Sequence, residues 1–237
     1  MAALAVARPE SRFLTSVSWI AAPTGDALPG AKSRVWVVGE LDAATARAPE
    51  WAGGATADVL VTAEDGTSIA ATSSQVPAPV RAVTLALPDV ALGPGEYAVR
   101  LRVKPTGGGL PCVDTLQFTV PEQSGVTGKP LLLRRGMSSG VQYVATADPR
   151  FRRTDRLRVD IPVHGAVDGT KGELLDRNGH VMPVPVEATL RNDGEALHWA
   201  TAEAVLAPLA PGDYAIRTLI GRGAKEEQVV TAFRVVP

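Results

Sequence analysis

A six-residue motif that occurs twice constrains the fold of this 237-residue chain more than any other feature. Residues 92–97 read Leu-Gly-Pro-Gly-Glu-Tyr, and residues 209–214 read Leu-Ala-Pro-Gly-Asp-Tyr. In a tyrosine corner, a turn at the end of a crossover is followed by a tyrosine whose hydroxyl bonds back to main chain a few residues upstream. The predicted corner residues are Pro94, Gly95, Tyr97, Pro211, Gly212 and Tyr214. The two tyrosines are about 120 residues apart, roughly the length of one sandwich domain.

Two further features recur in the same order around these corners. Asp65-Gly66 and Asn178-Gly179 are dipeptides that favour tight turns, because such turns need positive φ. The segment 115–121 resembles the segment 231–237, and both end in Val-Pro or Val-Val-Pro. The repeated order of turn, corner and closing strand predicts an all-β fold of two tandem immunoglobulin-like, Greek-key β-sandwich domains.

The two predicted domains cover residues 1–124 and 125–237, and a short polar linker at 122–128 places them side by side. The hydrophobic pattern predicts strands at 13–19, 33–41, 57–63, 67–71, 81–87, 96–103 and 115–120 in the first domain. In the second domain it predicts strands at 141–146, 155–163, 171–176, 180–190, 196–205, 213–220 and 227–236. Little helix is expected. Residues 43–48 are compatible with one helical turn, which Pro49 should end.

Composition and charge exclude several classes of protein. A net charge of −1 gives no basic excess for binding nucleic acid. No apolar run approaches the roughly 20 residues that a membrane span requires, so we expect no membrane insertion. Cys112 is the single cysteine, so no internal disulfide can form. The N-terminus lacks a basic segment before its apolar stretch. We therefore expect an extracellular or cell-surface protein if the chain is a fragment of a longer secreted protein, and a cytoplasmic one if it is complete as given.

No motif indicates a metal site, a cofactor or catalytic residues. The histidines are His164, His180 and His198, and none has HExxH or a paired zinc spacing. The calcium-loop pattern is also absent, although loops of sandwiches can bind calcium weakly. A hydrolase with an unrecognised site stays open as an alternative. It would need His180 or His198 to meet a strand-end aspartate in one pocket.

Two features are candidates for partner binding. Trp51 follows Pro49 in a segment typical of a loop, and an exposed loop tryptophan could anchor a partner or stack on a sugar ring. Arg150, Arg152 and Arg153 belong to an arginine-rich segment that could bind an acidic partner. The interpretation we favour for these arginines is a solvated face that neighbouring aspartates neutralise.

Four segments carry a resemblance to a known family: 12–19, 147–154, 175–179 and 206–214. Together they resemble the C-terminal region that follows a von Willebrand factor A-like domain in large secreted proteins of Acidobacteria and related soil bacteria. The similarity covers nearly the whole chain. The A-like domain of that family carries the metal-binding motif D-x-S-x-S, which this chain lacks, and the resemblance implies no catalytic residues.

These observations lead to one main expectation about function. The chain should be a non-enzymatic spacer or protein-binding module of a larger secreted or cell-surface bacterial protein. Its partner would be another protein or a second copy, bound through loops or an open sheet edge. The alternatives are a carbohydrate-binding module that uses Trp51, and the hydrolase described above.

Overall fold

The computed structural model describes residues 11–23, 31–122, 127–136, 140–192, 197–223 and 225–237. The predicted boundary between residues 124 and 125 lies outside these described residues. Within them the chain is almost entirely β-structure, as the repeated corners predict. Among the described residues, no helix has the length and apolar character that crossing a bilayer requires.

The described residues of the first half form two facing sheets from seven strands. The strands are β1 (Phe13–Ile20), β2 (Arg34–Leu41), β3 (Ala55–Ala63), β4 (Ser68–Val76), β5 (Ala82–Pro88), β6 (Gly95–Pro105) and β7 (Cys112–Val120). One sheet has the order β1-β2-β5 and the other has the order β4-β3-β6-β7. Alternation in β3 places Val59 and Val61 in the core, where they pack with Leu101 of β6 and Val37 of β2. This half is the first sandwich.

In the second half, the part of the chain that the structure describes forms two more sheets from nine strands. They are β8 (Leu131–Arg135), β9 (Val144–Ala145), β10 (Arg150–Arg152), β11 (Arg156–His164), β12 (Gly169–Leu175), β13 (Val186–Asn192), β14 (Leu197–Val205), β15 (Gly212–Arg222) and β16 (Lys225–Val236). One sheet has the order β13-β14-β11-β8-β9 and the other has the order β10-β16-β15-β12. The core between them includes Leu157, Ile161, Ile216 and Phe233. This half is the second sandwich.

The strand that follows the Asp65-Gly66 turn and the strand that follows the Asn178-Gly179 turn join different sheets of their sandwiches. In the first sandwich β4 forms an antiparallel hairpin with β3. In the second, β13 follows β12 but pairs with β14 in the opposite sheet. The second sandwich therefore has the D-E-B-A and C-F-G arrangement of a constant-type immunoglobulin domain. In the first sandwich the equivalent strand, β4, instead belongs to the sheet that contains β3, β6 and β7.

The turn at Asn178-Gly179 consequently differs from the one at Asp65-Gly66. Gly66 has φ +83° and connects two strands of one sheet. Gly179 has φ +86°, but beyond its turn the pairing ends at a single bridge between Leu175 and Val181. The chain then crosses to the other sheet.

Three local predictions differ from the structure. The strands β8 and β10 were not predicted, and only residues 144–145 of the predicted strand 141–146 are paired. Pro49 does not end the helical region. A 3-10 turn at Thr45–Arg47 is followed by a second one at Pro49–Trp51, in which Pro49 occupies the first position. Proline is favoured there because its missing N–H would be unbonded in any case.

Candidate functional site

The two sandwiches meet through main-chain hydrogen bonds at the end of β1. The amide of Lys129 donates to the carbonyl of Trp19 over 2.7 Å, and the hydroxyl of Ser18 donates to the carbonyl of Lys129 over 2.7 Å. The amide of Gly128 donates to the carbonyl of Pro162 over 2.8 Å. The short segment before β8 is therefore held against both sandwiches.

A buried carboxylate lies at the centre of the contact. Glu40 of β2 is 7% exposed. Its Oε1 accepts from Arg134 Nη1 at 2.9 Å, and its Oε2 accepts from Thr146 Oγ1 at 2.5 Å. The amides of Ala147 and Asp148 donate to the same Oε2 over 3.2 Å each. Four donors from the second sandwich thus satisfy one acid from the first, which is what a buried charge requires.

Arg134 of β8 extends this network into the second sandwich. Its Nη2 donates to the carbonyls of Asp148 and Arg150 at 3.0 and 2.8 Å. Its guanidinium also lies 4.8 Å from the ring centroid of the buried Phe151, a cation–π contact. Arg134 therefore holds residues 148–151 in the position from which the amide of Asp148 reaches Glu40.

Apolar side chains flank the ionic centre. Trp36 of β2 packs edge-on against Trp199 of β14, with ring centroids 4.8 Å apart and an interplanar angle of 63°. Ile20 and Leu197 complete this cluster. We call the whole contact the joint. Its residues are Ser18, Trp19, Ile20, Trp36, Glu40, Gly128, Lys129, Arg134, Thr146, Ala147, Asp148, Leu197 and Trp199.

A cleft of about 460 Å³ opens beside the two tryptophans. Its floor carries the buried carboxylate of Asp160, 2% exposed, on β11. Arg158 binds Asp160 through two hydrogen bonds of 2.6 and 2.7 Å, while Arg191 and Thr201 donate to it at 3.3 and 3.1 Å. Hydrogen bonding to Asp160 raises the pKa of Arg158. Because donors occupy both oxygens, Asp160 serves to fix the two arginines.

Tyr143 forms one wall of this cleft. Its hydroxyl donates to Glu203 over 2.8 Å, and the guanidinium of Arg158 lies 5.5 Å from its ring centroid. Burial, and then the hydrogen bond to Glu203, raise the pKa of Tyr143 to about 12. The phenol therefore stays protonated at neutral pH, and both oxygens of the neighbouring Asp160 accept hydrogen bonds.

Both predicted corners have the hydrogen bonds that their sequence spacing indicates. Tyr97 Oη donates to the carbonyl of Gly93 at 2.9 Å and accepts from the amide of the same residue at 3.0 Å. Tyr214 Oη donates to the carbonyl of Ala210 at 2.9 Å. The two rings stack on Phe118 and Phe233 respectively. These residues therefore stabilise each sandwich, and they lie outside the joint.

Trp51, which could anchor a partner only if exposed, is buried. Its side chain is 2% exposed and belongs to the core of the first sandwich. The 3-10 turn that Pro49 begins directs the indole inward, where Ala46 and Ala48 also pack. A buried indole offers no face to a sugar ring. This removes the basis for a carbohydrate site at Trp51.

The predicted arginine patch is largely paired. Arg150 forms an ion pair with Asp148 at 2.8 Å, and this hydrogen bond raises the pKa of Arg150. Arg153 donates to the carbonyl of Ala207 at 2.6 Å. Arg152 has an exposed side chain, and its amide donates to Asp155 at 2.8 Å. Asp148 therefore neutralises Arg150, whereas the side chain of Arg153 bonds main chain. Trp51 lies in the other sandwich.

Of the three histidines, His180 lies beside an aspartate. His180 Nδ1 lies 3.3 Å from Asp176 Oδ2, but the pair sits at the exposed Asn-Gly turn rather than in a pocket. Asp176 accepts from the amides of Asn178 and His180, and these bonds lower its pKa. This carboxylate therefore stabilises the turn. Within the described ranges, no three histidine, cysteine or acidic side chains are grouped as metal ligands.

The sequence contained a signal for the joint that pattern reasoning missed. Glu40 is the single acid in Arg-Val-Trp-Val-Val-Gly-Glu-Leu, a strand in which seven of eight residues are buried. A strand buried on both faces must be covered on its second face as well. A buried carboxylate on such a strand needs hydrogen-bond donors from the element that covers the strand.

Comparisons with known protein sequences give no family for this chain. No protein-family model and no curated protein sequence matches the chain. Among solved structures, a biofilm associated protein described as its BSP domain aligns with a TM-score of 0.39 and 16% identity, over 88% of this chain. The chain spans 28% of the length of that structure.

Two further structures align over most of both chains. The first is Dpr2 Ig1-Ig2, from a complex with DIP-Theta Ig1-Ig3. It has a TM-score of 0.24 and 8% identity, and covers 95% of this chain and 89% of that one. The second is a protein of unknown function from Porphyromonas gingivalis W83, with a TM-score of 0.22 and 11% identity, covering 95% and 98%.

Proposed function

We propose that this chain is a non-enzymatic structural and interaction module, in which two sandwiches act as one rigid spacer. The observation that carries the proposal is the joint, and above all the burial of Glu40 between the sandwiches. A flexible pair of domains would keep such a charge in water.

The joint resists bending because its parts depend on one geometry. Moving Glu40 away from Arg134 would break their ion pair of 2.9 Å. It would leave these partly buried charges with longer contacts only, from Glu40 to Arg81 at 3.9 Å and from Arg134 to Asp155 at 3.7 Å, which is unfavourable. The same movement would separate Trp36 from Trp199 and break the main-chain bonds of Lys129. Opening the joint therefore requires losing ionic, aromatic and main-chain contacts together.

A rigid spacer leaves its loops and open sheet edges for contact with a protein partner or a second copy. The cleft beside Trp36 and Trp199 is one such surface, since it combines aromatic edges with the guanidinium groups of Arg158 and Arg191. The resemblance to the region that follows a von Willebrand factor A-like domain supports a position within a larger secreted or cell-surface protein. Fractionation of cells that produce the tagged parent protein tests this location. Recovery in the cytoplasm alone would contradict it.

Distances between spin labels on the two sandwiches test the rigidity directly. Labels attached through Thr84→Cys and Lys171→Cys, in a Cys112→Ser background, report on exposed positions of β5 and β12. We expect a single narrow distance distribution that Glu40→Ala broadens. The matched control is Asp58→Ala, which removes an exposed ion pair with Arg102 inside the first sandwich and should leave the distribution narrow. A broad distribution in the chain with an intact joint would rule out the spacer.

A further inference from the structure

The edge strand β4 differs from the other open edges among the described strands. It runs for nine residues, Ser-Ile-Ala-Ala-Thr-Ser-Ser-Gln-Val, without a charge or a proline. Its hairpin partner β3 covers one side only, and no described strand pairs with the other. Such an edge presents a row of unpaired N–H and C=O groups to which another strand can bind.

The remaining edges carry features that discourage pairing. β12 has Lys171 and Glu173, β13 has Glu187 and Arg191, and β10 is three residues long. β5 ends at a proline, and β9 has two residues. The edges β1 and β7 face each other across the first sandwich, where Trp19 stacks on Phe118 at 6.2 Å. Charges, proline and short length are the usual protection of sheet edges, and β4 has none of them.

We propose that β4 pairs with β4 of a second copy of this chain, antiparallel and about a two-fold axis at Ser73. This dimer rests on the proposed function of the chain as an interaction module, and it specifies a second copy as the partner. The two four-stranded sheets would join into one continuous eight-stranded sheet, in an isologous contact that closes after two copies. Antiparallel pairing between identical strands is the simplest way to satisfy an open edge.

The register follows from an irregularity in the hairpin. Val61 pairs with Ala70 but Thr62 pairs with Ser68, so Ile69 is an extra residue and the regular ladder is 70–76. The centre of that ladder is Ser73. An axis there brings outward-pointing main-chain groups of one copy to outward-pointing groups of the other. It also places Ala71 opposite Gln75 of the second copy.

Charge and side-chain size favour a second copy as the occupant. A two-fold axis at Ser73 places this residue opposite its own duplicate, so a charge there would meet a like charge. The ladder contains only Ala, Thr, Ser, Gln and Val. Ser73 points to the outer face, where its hydroxyl donates to Asp58 over 2.7 Å. Small neutral side chains on this face leave room for the sheet of the second copy beside β4.

Single cysteines in a Cys112→Ser background test both the contact and its register. Cβ atoms directly opposite each other in a sheet lie within reach of a disulfide. A residue two positions from the axis lies four residues along the strand from its own duplicate, which is out of reach. Ser73→Cys should therefore form a covalent dimer on mild oxidation. Ala71→Cys alone and Gln75→Cys alone should give about tenfold less, but a mixture of the two should cross-link.

Sedimentation of the unlabelled chain is the second test of the dimer. The sedimentation coefficient should rise with concentration, and Ser73→Lys and Ser73→Glu should each abolish the rise by like-charge repulsion. Mixing these two variants should restore it. The control Gln117→Lys, on the same sheet but on β7, should behave as the parent chain.

Three results would overturn the proposal: a chain that stays monomeric at all concentrations, equal cross-linking by all three cysteines, or dimers that persist in both charged variants. Circular dichroism of each variant shows whether it is folded. The spin-label distances test the joint separately. A chain that does not dimerise would therefore not contradict the rigid spacer, and a flexible joint would not contradict the dimer.

Discussion

Glu40 Oε1 of the first sandwich lies 2.9 Å from Arg134 Nη1 of the second, and both side chains are largely shielded from water. Replacing Glu40 by Ala should lower the free energy of unfolding by about 3–5 kcal/mol, because Arg134 is left without its main counter-charge in a buried site. Urea unfolding followed by circular dichroism measures the change.

The exposed pair of Asp58 and Arg102 is the control for this prediction. Its two side chains are each 41% exposed, so Asp58→Ala should change the free energy of unfolding by less than about 1 kcal/mol. Equal effects of Glu40→Ala and Asp58→Ala would show that the joint contributes little.

Gly128 should tolerate no side chain. A Cβ at this position would overlap the carbonyl oxygen of Trp19 and lie 2.9 Å from Cβ of Ile20. Gly128→Ala should therefore destabilise the protein by about 1–3 kcal/mol, as overpacking usually does. It should also broaden the spin-label distances across the joint. Gly169→Ala is the control, since a Cβ there meets nothing within 4 Å. Similar stability of both variants would contradict the close approach.

The two corner tyrosines should differ in their contribution to stability. Tyr97→Phe removes a hydroxyl that both donates to and accepts from Gly93, whereas Tyr214→Phe removes a single donated bond to Ala210. We expect losses of about 1–2 kcal/mol, with the larger loss at Tyr97, because two main-chain groups lose their partner there. Thermal unfolding of both variants tests the order. Unchanged midpoints in both would reject the structural role of the corners.

Tyr143 should ionise at unusually high pH. Its pKa in the folded state is about 12, above the ordinary value of about 10 for an unfolded chain. The folded state therefore favours the neutral phenol. The resulting stability is complete below about pH 10 and is lost as the pH rises through about 12. Ultraviolet absorbance of tyrosinate follows the titration.

Two variants test whether the titration step at high pH belongs to Tyr143. Tyr143→Phe should remove the late step, and Glu203→Ala should move it to lower pH by removing the hydrogen bond and a nearby negative charge. A late step that survives in Tyr143→Phe would belong to another tyrosine.

Deletion of residues 127–237 tests whether the first sandwich folds by itself. Its core is formed by residues of β1–β7 and their connections, so we expect a β-type circular dichroism spectrum and cooperative unfolding. Loss of the second sandwich uncovers Trp36 and Ile20, and the tryptophan fluorescence should shift to longer wavelength. An unfolded product would mean that the two halves share one core.

The fold could be predicted largely because its signals are local. The Pro-Gly-x-Tyr motif, the Asp65-Gly66 turn and the alternation in β11 each depend on a few neighbouring residues. The prediction failed for β8, whose sequence Leu-Leu-Leu-Arg-Arg does not alternate. It also failed for β10, whose three residues are too few for any period.

The joint was harder to predict because its residues are far apart in the sequence. Glu40 and Thr146 are separated by 106 positions, and no local pattern relates them. The burial of Trp51 was also hard to predict from neighbouring residues. Its neighbours Pro49 and Gly53 are typical of a loop, and burial was decided by a 3-10 turn that packs against the core. Side-chain burial in connections depends on what lies beneath them.

The parallel contact between β10 and β16 affects how the chain would carry tension. β10 comes directly after the residues that hold Glu40, and β16 is the last strand, with three residue pairs between them. A force that draws Pro237 away from the first sandwich acts on these strands in shear. The three pairs must then yield together rather than one after another, so the final strand is anchored against being peeled off its sheet.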